Sequence, residues 1–241
     1  MPETEVVASH ELRQLPVGPG TWAERHRLLV VVDSPGRAPL VLATQVGYHL
    51  PRAHFSFQAM VAEGAQLPLV ISENEIPGPD QGWELRSSGL WVDHVCETPM
   101  DHWSYGLESF ALAIDDPIEL LGQGFGQRTP LGWELEFEAG AAPTATGPQS
   151  YCQPGIVHGL LLGPGRQVEI EGRALRGHAW GYAWGHGGGV DDALHGGPPG
   201  RQLGDRLDEE GDEVLVEVAL PTPESVWWVA RTPTGVRTRG V

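Results

Sequence analysis

Arg176-Gly-His-Ala-Trp-Gly-Tyr-Ala-Trp-Gly-His186 is the stretch of this chain best equipped for chemistry. If Leu175–Tyr182 is a strand, period two puts Arg176, His178, Trp180 and Tyr182 on one face and Gly177, Ala179, Gly181 and Ala183 on the other. The first face lines up a guanidinium, an imidazole and indoles. A guanidinium binds a carbonyl or enolate oxygen and stabilises charge developing there. An imidazole titrates near neutrality and works as a general acid or base. Trp180 and Trp184, four residues apart with Tyr182 between them, together with Trp103 and Trp91, form a candidate wall for an apolar substrate. Glu97 and Tyr151 are further proton carriers, and Gln153 is a polar contact beside Tyr151. The competing reading is structural: nine tryptophans also suit a core, with arginine stacked on indole.

Metal binding is weaker on this evidence. His178 and His186 are eight residues apart, His195 follows nine later beside Asp191 and Asp192, and His94 and His102 are again eight apart. None of the ten histidines forms an i, i+2 or i, i+4 pair, so no metal and no cofactor are expected. Other templates fail as well. There is no Gly-x-Ser-x-Gly elbow. Gly122–Gly126 completes no phosphate loop. All fifteen basic residues are arginines, which excludes lysine-based chemistry.

The elements that must hold these residues are strands. Thirty-three glycines and 21 prolines punctuate 241 residues too evenly for long helices. His26–Val32 and Pro39–Val46 read as a hairpin about Ser34-Pro-Gly-Arg. Ala53–Val61, Leu67–Ser72, Gly89–Cys96, Ser104–Ile114, Gly132–Ala139, Gly155–Leu162, Gln167–Ile170, Glu213–Leu220 and Ser225–Arg231 follow. A short helix near Pro117–Gly122 is the exception. Ile76–Gly82 reads as a linker, and Ala139–Gln149 and Gly185–Arg206 as loose segments, the last long enough to be either functional or partly disordered. A dozen short strands predict an all-β sandwich or barrel.

The run Tyr151–Gly181 resembles the carotenoid 1,2-hydratase-like (hydroxyneurosporene synthase-like) lipocalin superfamily, and more closely its actinobacterial branch. Tyr151, Gln153, Gly155, Gly159, Gly172, Arg176, His178, Trp180 and Gly181 carry the likeness, with Glu97, Pro99 and Trp103 upstream. Gly177 departs from it, since the family usually has Asp there. The resemblance implies two calycin-like β halves packed together, placed here at 1–80 and 81–241, with a hydrophobic cavity in or between them. It also implies cofactor-free work on polyenes, terpenoids or polyketides: cyclisation (including pericyclic), isomerisation, hydration or dehydration. A non-catalytic lipocalin-like carrier of an apolar metabolite is the alternative.

A net charge of −17 argues against nucleic acid and anionic membranes as partners, and the tryptophans together with the resemblance imply a hydrophobic small molecule. Met-Pro-Glu-Thr-Glu lacks the pattern of a signal peptide, and no apolar run reaches eighteen residues, so a cytoplasmic location is expected. Cys96 and Cys152 read as reduced thiols rather than a disulfide.

Overall fold

The computed structural model describes residues 5–16, 18, 20, 22–33, 39–50, 53–63, 69–79, 82–113 and 126–181 in full, and the backbone of Tyr182 and of three strands between 213 and 240. It is almost entirely strand, as the turn spacing predicts. A 3-10 turn at Ala8–Glu11 precedes β1 (Trp22–Val32), β2 (Leu40–Leu50), β3 (His54–Glu63), β4 (Leu69–Ile76), β5 (Trp83–Ser87), β6 (Leu90–Thr98) and β7 (His102–Ala113). There follow β8 (Gln127–Ala139), β9 (Thr144–Gly147), β10 (Ser150–Gly163), β11 (Arg166–Tyr182), β12 (Glu213–Ala219), β13 (Val226–Thr232) and β14 (Gly235–Gly240). The segment read as a linker is the end of β4 and the connection to β5. The loose stretch after β8 contains β9. The helix expected near Pro117–Gly122 and the Gly185–Arg206 segment lie outside the described residues.

Strands β1 to β11 belong to one antiparallel sheet, in the order β4-β3-β2-β1-β11-β10-β8-β7-β6-β5, with β9 beside β10. The sheet curls back on itself. β7 carries β8 along one edge; along the other it carries β6, and then β4 at Leu112 and Ala113. Eight strands (β1, β2, β3, β4, β7, β8, β10 and β11) thus close into a barrel-like ring. The sheet runs across residue 80, which falls between β4 and β5. β12, β13 and β14 form a separate three-stranded sheet. No helix among the described residues is long and apolar enough to cross a membrane.

Alternation decides what lies inside. On β1, Glu24, His26, Leu28 and Val30 share a face; on β11, Ala174, Arg176, His178 and Trp180 do. Leu28, Val30, Leu42, Phe57, Leu107, Trp133, Leu135, Phe137, Val157 and Ile170 fill one continuous apolar core. Burying this many large side chains, each worth roughly 1.5–3 kcal/mol, is the main term holding the ring closed. Toward the end where β1 and β10 begin and β11 finishes, the same inward rows turn polar: Glu24, His26, Arg176, His178 and Gln153 are all buried. Cys96 and Cys152 are both free, as expected.

Backbone approach is tightest on β10. Gly159, at φ +146°, lies between Leu135 of β8 and Ile170 of β11, and a Cβ there would meet the Glu134 carbonyl oxygen at 2.0 Å. Gly159→Ala is therefore expected to cost about 2–3 kcal/mol, from left-handed backbone strain and displacement of β8. Urea unfolding measures this; a loss below about 0.5 kcal/mol would show that β8 and β10 adapt freely.

Candidate functional site

Arg176 is the largest charged group in the interior, at 1 % exposure. Its guanidinium holds Glu11 in a two-pronged pair, Nη1 to Oε2 at 2.6 Å and Nη2 to Oε1 at 2.5 Å. Nη2 also donates to Gln153 Oε1 at 2.6 Å. Trp103, Phe137 and Tyr151 present their rings to the guanidinium carbon at 5.2, 5.6 and 5.6 Å. Burial alone would lower the arginine pKa, but Glu11, Tyr105 and Tyr151 more than offset it and hold the proton. The Gln153 amide nitrogen donates to the carbonyls of Met100 and Ala141 at 2.7 and 3.0 Å, and the Met100 N–H donates to Glu11 at 3.2 Å. Met100 takes φ 63°, a left-handed conformation, in the turn joining β6 to β7.

One layer further toward the mouth, Glu24, His26 and His178 meet. His178 Nε2 is 2.8 Å from Glu24 Oε1, and His26 Nε2 is 3.9 Å from the same oxygen. The register places His26 directly opposite His178, and their rings stack at 3.8 Å. Trp83 and Trp103 lie at 4.2 and 5.4 Å from the His26 ring; Trp180 and Tyr151 lie at 4.7 and 5.6 Å from the His178 ring. Burial pushes the Glu24 carboxyl up to about 8, although the Gln14 N–H and the Arg13 charge pull it down. Burial, with the Arg176 charge, pushes His178 down to about 3 and His26 well below its usual value. Glu24 Oε2 and both ring nitrogens of His26 have no hydrogen-bond partner. These three side chains are the group among the described residues able to hold a metal ion, with one donor atom from each lying within 4.8 Å of the others.

The segment before β1 closes this end. Gln14 N donates to Glu24 Oε1 at 2.9 Å, and both terminal nitrogens of Arg13 donate to the Pro79 carbonyl. Arg13 also lies over Tyr48 and Phe55, and His10 packs against Trp180 at 5.1 Å. Val6 joins the small cluster of Trp22, Tyr151 and Trp180. With this arrangement in view, comparison with known proteins gives no match. No family model, no curated protein and no solved structure matches the chain.

The structure brings Arg176, His178, Trp180, Tyr151, Gln153 and Trp103 together, as period two and the register of β10 on β11 require. It places Glu97 elsewhere, exposed and accepting from Ser104. Trp91 is on the outward row of β6, donating to Glu84 under Arg86 and lining a surface groove with Leu90 and Phe110. The backbone of Tyr182 pairs with Trp22, but its side chain, and all of Trp184, His186, Asp191, Asp192 and His195, lie outside the described residues. Gly177 alternates to the face opposite His178, so the interior loses no carboxyl there. Sequence reasoning missed Glu11, Glu24 and His26. Glu24-x-His26 on one row of a strand was a usable signal, masked by starting β1 at His26. Glu11 gave none.

Arg176 reaches a substrate only if Glu11 leaves, and leaving it unpaired is costly. Glu11→Ala should destabilise the fold by about 3–5 kcal/mol, because it strands a buried charge. The check is chemical denaturation beside Glu5→Ala, an exposed control. Equal stability of the two variants would mean that the ion pair does not hold the segment in place.

Proposed function

We propose that the chain is an enzyme that converts an apolar polyketide- or terpenoid-like molecule at the polar end of the ring, with no redox cofactor, by cyclisation, isomerisation, hydration or dehydration. The observation that carries this reading is the bare polarity of Glu24 and His26. A buried polar atom without a partner costs roughly 1–3 kcal/mol. Groups kept at that cost are typical of sites that act on something else. None of the four reactions involves net electron transfer, and each is aided by polar groups held at a C=O or C=C in low-dielectric surroundings. Glu24, His26 and His178 are such groups, and Trp22, Trp83, Trp103, Tyr151 and Trp180 give the surroundings an aromatic wall suited to a polyene or fused-ring skeleton. Arg176 adds a fixed positive charge one layer below. The likeness of Tyr151–Gly181 to the hydratase-like lipocalins supports the same substrate class. A non-catalytic carrier would want the same wall, but it has no use for an unpartnered imidazole and carboxyl.

The test is incubation with a panel of polyenes and linear polyketides, read by mass spectrometry for products of unchanged mass or differing by one water. Glu24→Gln and His178→Asn should reduce turnover at least ~100-fold while leaving ligand-induced tryptophan quenching in place. Folded variants that turn over at wild-type rates would remove these residues from the reaction. Quenching without any product would favour the carrier.

A further inference from the structure

We propose that Glu24, His26 and His178 bind a divalent first-row transition cation, with Zn2+ as its simplest representative. This rests on the same cluster being the working centre and says what makes it reactive.

The first argument is placement. Glu24-x-His26 puts a carboxylate and an imidazole on one row of β1, and the antiparallel register delivers the second imidazole from β11 directly opposite His26. Two histidines and one carboxylate, with two of the three in an i, i+2 relation, are a recurrent ligand set for first-row metals, one that leaves coordination positions open. Ligands about 2.1 Å from an ion lie roughly 3–3.5 Å from one another. The observed 2.8 and 3.9 Å from Glu24 Oε1 to the two Nε2 atoms bracket that spacing, so small side-chain rotations suffice.

The second argument is unmet bonding. His26 is 3 % exposed, is enclosed by Trp83, Trp103 and the His178 ring, and has a hydrogen bond to neither ring nitrogen. Glu24 Oε2 is equally bare. A cation supplies a partner to one nitrogen of His26 and, through a carboxylate oxygen, to Glu24. The charge of Arg176, one layer away, is already taken up by Glu11.

The third argument is support around the ligands. The Gln14 N–H fixes Glu24 Oε1, and the main chain of His10 faces His178. Such outer contacts set ligand orientation in metal sites. Imidazole nitrogen with a single carboxylate favours zinc-like or ferrous ions over Ca2+ and Mg2+, which demand oxygen. The ion would polarise a substrate oxygen or a water as a Lewis acid, consistent with a hydration or isomerisation that needs no redox partner.

The full chain, expressed without a histidine tag in zinc-supplemented medium, is dialysed and its metal counted by mass spectrometry. Co2+ taken up in place of zinc is examined by ligand-field absorption and X-ray absorption. About one equivalent per chain is expected, with two imidazoles in the first coordination sphere. His26→Gln and Glu24→Gln should each abolish stoichiometric binding, whereas a His49→Gln/His54→Gln control, which removes the other stacked pair at 5.0 Å, retains it. Because buried variants can unfold, the imidazole count on the wild-type protein decides independently. Absence of stoichiometric metal, fewer than two imidazoles, stoichiometric binding that survives His26→Gln, or binding lost in the control would overturn the site. Metal-free protein that still converts substrate would overturn the metal while leaving the proposed function intact.

Discussion

A guanidinium inside a barrel-like ring needs a carboxylate there, and most of this structure's polar end follows from how Arg176 finds one. Its inward position is dictated by period two on β11, and its neighbours on β1 and β10 at that level are Leu28 and Gln153. The carboxylate comes instead from Glu11, 165 residues earlier in the chain, on a 3-10 turn that belongs to no sheet. Once that pair forms, the residues on either side of Glu11 have little choice. Gln14 meets Glu24, Arg13 meets Pro79, and His10 covers Trp180. A buried ion pair of this kind contributes little net stability against a hydrophobic substitute, since desolvation consumes most of the attraction. Its role is to specify one docking of the segment.

The same logic places the site at a seam. β1 and β11 are neighbours in the ring yet almost the whole described chain apart, and the Glu24–His26–His178 cluster exists only where they pair. Contacts of such sequence separation carry the largest loop-closure cost and form late. The apolar rows further along β1 and β11 reward that closure. The polar rows do not, and depend on it. Core and site are therefore one cooperative structure, and the interior chemistry is available only in the closed ring.

This explains which parts were legible beforehand. Strands such as Trp133–Phe137, with glutamates between the large residues, announce themselves locally, and so does the shared face of Arg176, His178 and Trp180. The turn at Pro164-Gly165 fixes the register of β10 on β11, so Tyr151 and Gln153 were within reach of the same reasoning. Glu24 and His26 become site residues through a pairing that no local pattern encodes, and Glu11 lies in a segment with no periodicity at all. Glu97 and Trp91 illustrate the converse: they are chemically suggestive residues on a strand whose alternation, read from Leu90, Val92 and His94, turns them outward.

Four inward positions of β1 argue that the polar end is not an architectural necessity. Val30 and Leu28 are fully buried and apolar; the next two positions toward the mouth, His26 and Glu24, are as deeply buried and carry polar atoms the protein does not satisfy. The register of this strand with both neighbours is unbroken, so whatever lets leucine and valine pack at two levels would let them pack at the others. An apolar pair there would avoid the desolvation cost and remove the stacked imidazoles. Arg176 would still have Glu11. His178, which pairs with Glu24, would have to be replaced with them, so three apolar substitutions could keep the fold, and the chain retains the polar groups instead. Costly groups kept where a cheaper solution is geometrically open leave the interior with bonds that only a further binding partner could complete.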